Sequence, residues 1–171
     1  PNASIELVAG SSISATGAVS LLGNIGNSNI ILNGSVTAGG AGNVDVDPAG
    51  TGRISLGNNI TAGTGNINLT ANVDMTGNSI LTTTNGTVNF AGTVDGASNL
   101  TIAAGTGVVT FAGNVGLTTA LGALQSTGSG NVIFGGSIGD STHVLTSVAI
   151  TGATTLNGST VFTSGSQNFA A

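Results

Sequence analysis

A phrase of the form Gly-x-Val-x-Phe-x-Gly recurs along the chain and constrains its fold more than any other feature. The three clearest copies begin at Gly86, Gly107 and Gly130. Looser copies begin at Gly17, Gly42, Gly65 and Gly152, so that successive starts are 21–25 residues apart. Self-similarity at such a period is the signature of a repeat architecture, in which each unit buries its apolar face by stacking on its neighbours.

Apolar and polar residues alternate within each phrase. Alternation with a period of two predicts a half-buried strand rather than a helix. The fourth position after the starting glycine is occupied by Leu21, Val46, Leu69, Phe90, Phe111, Phe134 and Leu156. We therefore expect these seven residues to form one interior column, to which each repeat contributes one strand.

The remainder of each repeat predicts one or two further strands. Second apolar patches, such as Leu100 with Ile102, are separated from the phrases by turns rich in Gly, Asn and Thr. The segment 54–56 is either such a second strand or a small outward insertion. We expect residues 1–171 to form a single domain, a parallel β-helix of seven or eight turns, as a processed subunit or a segment of a longer fibrous protein. An antiparallel sandwich is the alternative.

Charge and cysteine content exclude several classes of partner. The chain has six acidic residues, one Arg (Arg53), no Lys and no Cys, and its net charge is −5. Binding to nucleic acid needs several cations, as does attraction to an anionic membrane, so we expect neither partner. No apolar run is long enough for a transmembrane helix, so we expect no membrane insertion. Disulfides and thiolate metal sites are excluded because there is no cysteine.

The sequence offers little for catalysis. Asp45 and Asp47 are the nearest pair of carboxylates, and they alternate with Val44 and Val46, so both are predicted to point towards solvent. A glycosidase needs two carboxyl groups at a defined separation within a site. The single histidine, His143, has no nucleophile and base at a recognisable spacing. We therefore expect no enzymatic activity and assign no catalytic residue.

Asp74 and Asp95 suggest a more specific hypothesis, that of a metal site. They occupy the same position of successive repeats, 21 residues apart. In a stack of turns they would lie about 5 Å from each other, and carboxylates that close repel unless a hard cation bridges them. The spacing predicts a Ca²⁺ site, and the simpler alternative is that both side chains lie in solvated turns and splay apart. No other cofactor is expected.

The phrases GTVNFAGTVDGASNLTIAAG and ITGATTLNGSTVFTSGSQNF resemble the repeats of large bacterial surface adhesins. The resemblance is to the filamentous-haemagglutinin-like and autotransporter-like families exported by type V secretion, and it covers nearly the whole chain. It implies a right-handed parallel β-helix at the extracellular bacterial cell surface, with a structural role in a filament or adhesin stalk. Host or cell-surface glycans are then possible partners. The alternatives are a carbohydrate-binding or carbohydrate-cleaving β-helix and a segment of a phage tail fibre.

The ends of the chain predict self-association. Ile5 and Leu7 near the start, and Val161 and Phe169 near the end, continue the strand pattern with few charges around them. Natural solenoids cover their end turns with atypical capping repeats, because open strand edges seek partners. We therefore expect either covalent continuation into further repeats or end-to-end stacking of copies.

Overall fold

The described residues, 4–158 and 160–170 of a computed structural model, form a parallel β-solenoid without helices. The first sheet contains β1 (Ile5–Leu7), β4 (Ile30–Leu32), β7 (Ile54–Leu56), β10 (Val73–Met75) and β13 (Val94–Asp95). The second contains β2 (Ser12–Ala15), β5 (Ser35–Ala38), β8 (Ile60–Ala62), β11 (Ser79–Thr83), β14 (Leu100–Ala103), β16 (Ala123–Ser126), β18 (Ser147–Ile150) and β20 (Gln167–Phe169). The third contains β3 (Val19–Leu22), β6 (Val44–Asp47), β9 (Ile67–Leu69), β12 (Val88–Phe90), β15 (Val109–Phe111), β17 (Val132–Phe134) and β19 (Thr154–Leu156).

The chain visits the three sheets in the order first, second, third and then begins the next turn. After β13 the first sheet continues as single parallel bridges that join Val94, Val115, Ile138 and Val161. The coil therefore completes about seven turns and adds a first-sheet and a second-sheet segment of an eighth. The predicted parallel β-helix is confirmed, and segment 54–56 is a regular buried strand of the first sheet rather than an insertion.

The interior column predicted from the phrase is present in the third sheet. Leu21 lies opposite Val46, and the register continues through Leu69, Phe90, Phe111 and Phe134 to Leu156. The first six residues of this column are buried. Leu156 keeps the register but is 47% exposed, because no described strand covers the outer edge of β19.

Close packing between turns explains the glycine that starts each phrase. A Cβ atom added to Gly107 would overlap the carbonyl oxygen of Gly86 in the turn before, and the same overlap with the preceding glycine recurs at Gly65, Gly86, Gly130 and Gly152. None of these glycines has a positive φ, so the requirement is for space and not for a left-handed backbone. Gly17, in the first turn, meets nothing within 4 Å.

Asparagine side chains connect the turns at the corners between sheets. The side-chain oxygen of Asn66 accepts the backbone N–H of Thr87 at 2.8 Å, and that of Asn99 accepts the N–H of Ala123 at 2.8 Å. Such bonds satisfy backbone donors that leave the sheet ladders at the corners. Corner lengths differ from turn to turn while the strands stay in register, so the phrases repeat at an uneven spacing.

Candidate functional site

The lateral carboxylates of the third sheet point outward, as the sequence predicts. Asp45 and Asp47 alternate with the buried Val44 and Val46 on β6. The side-chain amide of Asn68 donates to Asp45 at 2.7 Å, and the hydroxyl of Thr70 donates to Asp47. Both acceptors belong to β6, and the donors lie in β9 and directly after it, so these contacts connect neighbouring turns along the outer surface.

Asp74 and Asp95 lie side by side in the first sheet, in the register that the sequence predicts. Arg53 of the preceding turn contacts the first of them, because its Nε and one terminal nitrogen donate to the two carboxylate oxygens of Asp74. The pKa of Arg53 is raised chiefly by this hydrogen bond, with a further contribution from the negative charge of Asp95. A guanidinium thus provides the positive charge that two stacked carboxylates require.

The side chain of Asp95 is directed towards the following turn. It is 6% exposed, and it accepts the backbone N–H of Thr118 at 2.8 Å and that of Thr119 at 3.4 Å. Within the described ranges, no group of three or more His, Cys, Asp and Glu residues could hold a metal ion. A cation between the two carboxylates would compete with Arg53 and with these amides, and the Ca²⁺ hypothesis stays a prediction.

The histidine belongs to a local turn between the first and second sheets. Asp140 accepts the backbone N–H groups of Thr142 and His143, each at 2.7 Å, and the hydroxyl of Thr142 at 2.7 Å. The hydroxyl of Thr142 and these amides lower the pKa of the Asp140 carboxyl well below its usual range. The ring nitrogen Nδ1 of His143 lies 3.0 Å from the hydroxyl of Thr142 and 3.2 Å from both carboxylate oxygens of Asp140, so all of these contacts stay within one short loop, which they order.

The outer face of the second sheet has no formal charge. None of its eight strands contains a charged residue, whereas the acidic residues lie on the other two sheets and in one loop. Ser14, Thr37, Thr61 and Thr82 are in register with one another and form a column of hydroxyls on this face. Sequence reasoning missed this column, since it aligned only the phrases of the third sheet.

The first turn leaves interior side chains incompletely covered. Ile5, Leu7 and Ile13 occupy inward positions but are only partly buried, while their counterparts one turn later, Ile30, Leu32 and Val36, are fully buried. The backbone N–H of Ile5 donates to the carbonyl oxygen of Asn29 at 3.0 Å, towards the second turn. The N–H and C=O of Glu6 therefore face the open side, because adjacent residues of a strand direct these groups to opposite edges.

The last turn is uncovered in the same way. Val161 and Phe169 are only partly buried, and Leu156 is 47% exposed although Phe134 beneath it is fully buried. Among the described residues, five of the seven exposed large apolar side chains lie in the end turns or next to them, namely Val8, Leu22, Ile25, Leu156 and Phe162. Leu156 belongs to the interior column, whereas Leu22 points outward beside the buried Leu21, so the end turns expose apolar side chains both at the open edge and on the side of the rod.

No family model, curated protein or solved structure matches the chain. The described part of the chain also contains no helix that could cross a membrane. The structure brings together Asp74 and Asp95, and it places the seven residues of the predicted column in one row.

Proposed function

We propose that the chain is a structural segment of an extracellular filament or adhesin stalk, and that it associates with further β-turns through its two ends. The observation that carries the proposal is the contrast within a single column. Phe134 is fully buried and Leu156, one turn later, is 47% exposed. Burying a leucine side chain is worth about 1.5–3 kcal/mol, so an additional turn on this end would stabilise it.

Backbone groups support the same conclusion. In six successive turns, the residue two positions after the starting glycine donates its N–H to the next turn, from Val19 to Asn43 at 2.8 Å through to Val132 and Ala153 at 2.8 Å. Thr154 holds the equivalent position in β19, whose outer edge faces no further strand among the described residues. An edge of this kind is a template for pairing with another strand.

The composition and the lateral surface of the solenoid are compatible with a structural role. The strands of the second sheet carry no charged residue, and outer residues of the third sheet are hydrogen-bonded to one another between turns, which suits a structural role. The absence of cysteine is compatible with an extracellular place, and the resemblance of the repeats to surface adhesins favours the bacterial cell surface. The proposal assigns the chain no catalytic residue.

Sedimentation velocity over a range of protein concentrations tests this function. We expect the 171-residue chain to associate as its concentration rises, and Val161→Pro to abolish the association. The bridge between Val161 and Ile138 uses the carbonyl of Thr160 and the N–H of Phe162. The N–H of Val161 therefore points away from the preceding turn, towards the open end of the rod. Proline therefore removes an edge donor and keeps the internal pairing.

Charge provides a matched comparison at two places on the rod. Val161→Lys places a charge at a partly buried interior position of the last turn, whereas Ile80→Lys places the same charge on the outer face of a central turn, where Ile80 is 45% exposed. Only the first should block association, since a cation is poorly tolerated in an apolar interface. Equal effects of the two variants, or a wild-type chain that stays monomeric at every concentration with both ends ordered, would contradict end-to-end association.

A further inference from the structure

We propose that copies of this chain stack with a rotation of one sheet, so that β1 of one copy pairs with the open edge of β19 of the copy before it. The inference rests on the proposed end-to-end association and specifies its geometry. In this arrangement Ile5 lies beside Thr154, Glu6 beside Thr155 and Leu7 beside Leu156. The first sheet of the second copy then extends the third sheet of the first copy.

The C-terminal end of the described chain is staggered. Among the described residues, the first and second sheets reach an eighth turn at Val161 and β20, whereas the last strand of the third sheet is β19 in the seventh turn. Each turn of stacked strands rises about 4.8 Å, so the described strands form a ramp with no described strand above β19. The next strand of a continuous coil belongs in that position.

Only one placement of the second copy fills the position above β19. Its leading strand is β1, followed by β2 and β3. When β1 lies above β19, β2 falls above the Val161 bridge and β3 above β20, and every strand edge has a neighbour. When β1 lies above Val161 instead, each sheet of the second copy extends the same sheet of the first copy. No strand then lies directly above β19, and Leu156 stays exposed beside a gap.

The strands β1 and β19 match in length and in the direction of their side chains. Both have three residues with the order inward, outward, inward, so Ile5 and Leu7 point to the interior over Thr154 and Leu156. A shift by one residue would turn the apolar side chains of β1 towards solvent, which fixes the register. Leu7 then covers Leu156, the most exposed member of the interior column.

Backbone and charge are also compatible with this pairing. The N–H groups of Thr154 and Leu156 face the open edge of β19, and the N–H and C=O of Glu6 face the open edge of β1, so donors and acceptors alternate across the junction. Glu6 points outward beside Thr155, and neither β19 nor β20 contains a charged residue. The single charge of β1 therefore meets no carboxylate in the strand next to it.

Paired cysteines test the geometry directly, because the chain contains no cysteine of its own. In the rotated stack Glu6→Cys of one copy lies beside Thr155→Cys of the next, at a Cα separation of about 5 Å that a disulfide can bridge. Within one copy these positions are at opposite ends of a rod about 35 Å long, so the bond can form only between copies. We expect mild oxidation of the double variant to give a ladder of covalent oligomers.

A second pair distinguishes the unrotated stack. Val161 shares its column with Ile5 through the first sheet, which makes Phe162 the outward neighbour of Glu6 if copies stack without rotation. Glu6→Cys with Phe162→Cys should therefore give no ladder. A ladder from this pair and none from the pair at 6 and 155 would overturn the rotated geometry, as would association of the wild-type chain with no ladder from either pair. Wild-type chain that stays monomeric in sedimentation, with no ladder, would overturn the proposed function as well.

Discussion

The rings of Phe90 and Phe111 lie parallel in the core, with their centroids 4.6 Å apart and their planes within 5°. Phe134 continues the stack at 5.0 Å from Phe111. The separation is close to the spacing of hydrogen-bonded strands, about 4.8 Å, because each ring projects from the same position of successive turns. The stack therefore reports the register of the third sheet, and it identifies Phe111 as the residue whose packing depends on both neighbouring turns.

Truncating the central ring should destabilise the fold strongly. Phe111→Ala removes a side chain that is 1% exposed and leaves a cavity between two rings, so we expect a loss of about 3–5 kcal/mol in the free energy of unfolding. Phe162→Ala, at a position 36% exposed, is the matched control and should cost much less. Urea denaturation measures both values, and similar losses for the two variants would contradict the interior stack.

The glycine column gives a second prediction about stability. Gly107→Ala would place a Cβ atom against the carbonyl oxygen of Gly86, and the turns would have to separate, so we expect a loss of roughly 1–3 kcal/mol from overpacking. Gly17→Ala makes the same chemical change where nothing lies within 4 Å. It should leave the unfolding midpoint nearly unchanged at low protein concentration. A Gly107→Ala chain as stable as Gly17→Ala would show that the turns are not closely packed at this column.

Two explanations for the close approach of the Asp74 and Asp95 carboxylates can be distinguished by experiment: a positive charge from Arg53, or a bound Ca²⁺. If Arg53 supplies the positive charge, Ca²⁺ and a chelator should leave the melting temperature of the wild-type chain unchanged. Arg53→Gln should cost about 1 kcal/mol or less, since the pair is partly exposed, and the cost should be larger at low salt. A melting temperature that falls with chelator, and no longer does so in Asp95→Asn, would instead support the Ca²⁺ site.

Acid stability should depend on Asp140. The carboxyl has a lowered pKa in the folded chain, relative to an ordinary value of 3.8, because Thr142 and His143 donate hydrogen bonds to its ionised form. Its contribution to stability is therefore present above that ordinary value and is lost as the pH falls towards the lowered one. Asp140→Asn should melt below the wild-type chain at about pH 6, and the difference should shrink as the pH falls from about 4 to 2. A difference that does not vary with pH would contradict this assignment.

The parts of the fold set by strand periodicity could be predicted from the sequence. Alternation of apolar and polar residues gave the order of the third-sheet column from Leu21 to Leu156, and the common offset of Asp74 and Asp95 gave their pairing. Both depend only on the register of strands that face one interior. The exposure of Leu156 depends instead on where the coil ends in each sheet, which no local pattern records.

Contacts made at the corners could not be predicted in the same way. Arg53 contacts Asp74 because corners of unequal length bring residues 21 positions apart together, and Asp95 accepts amide bonds from a loop that is specific to the next turn. Corner conformations depend on tertiary packing rather than on periodicity. The hydroxyl column of the second sheet was hidden because its strands lack the glycine phrase that reveals the third sheet.

The central claim is that uncovered end turns join copies of the chain into a filament with continuous stacking of strands. Electron micrographs of the concentrated 171-residue chain, with diffraction from aligned material, test it most directly. We expect unbranched filaments with a reflection at about 4.8 Å along the filament axis, where the strands stack, and we expect Val161→Pro to abolish the filaments. Separate rods about 35 Å long at every concentration, with no axial reflection, would contradict it.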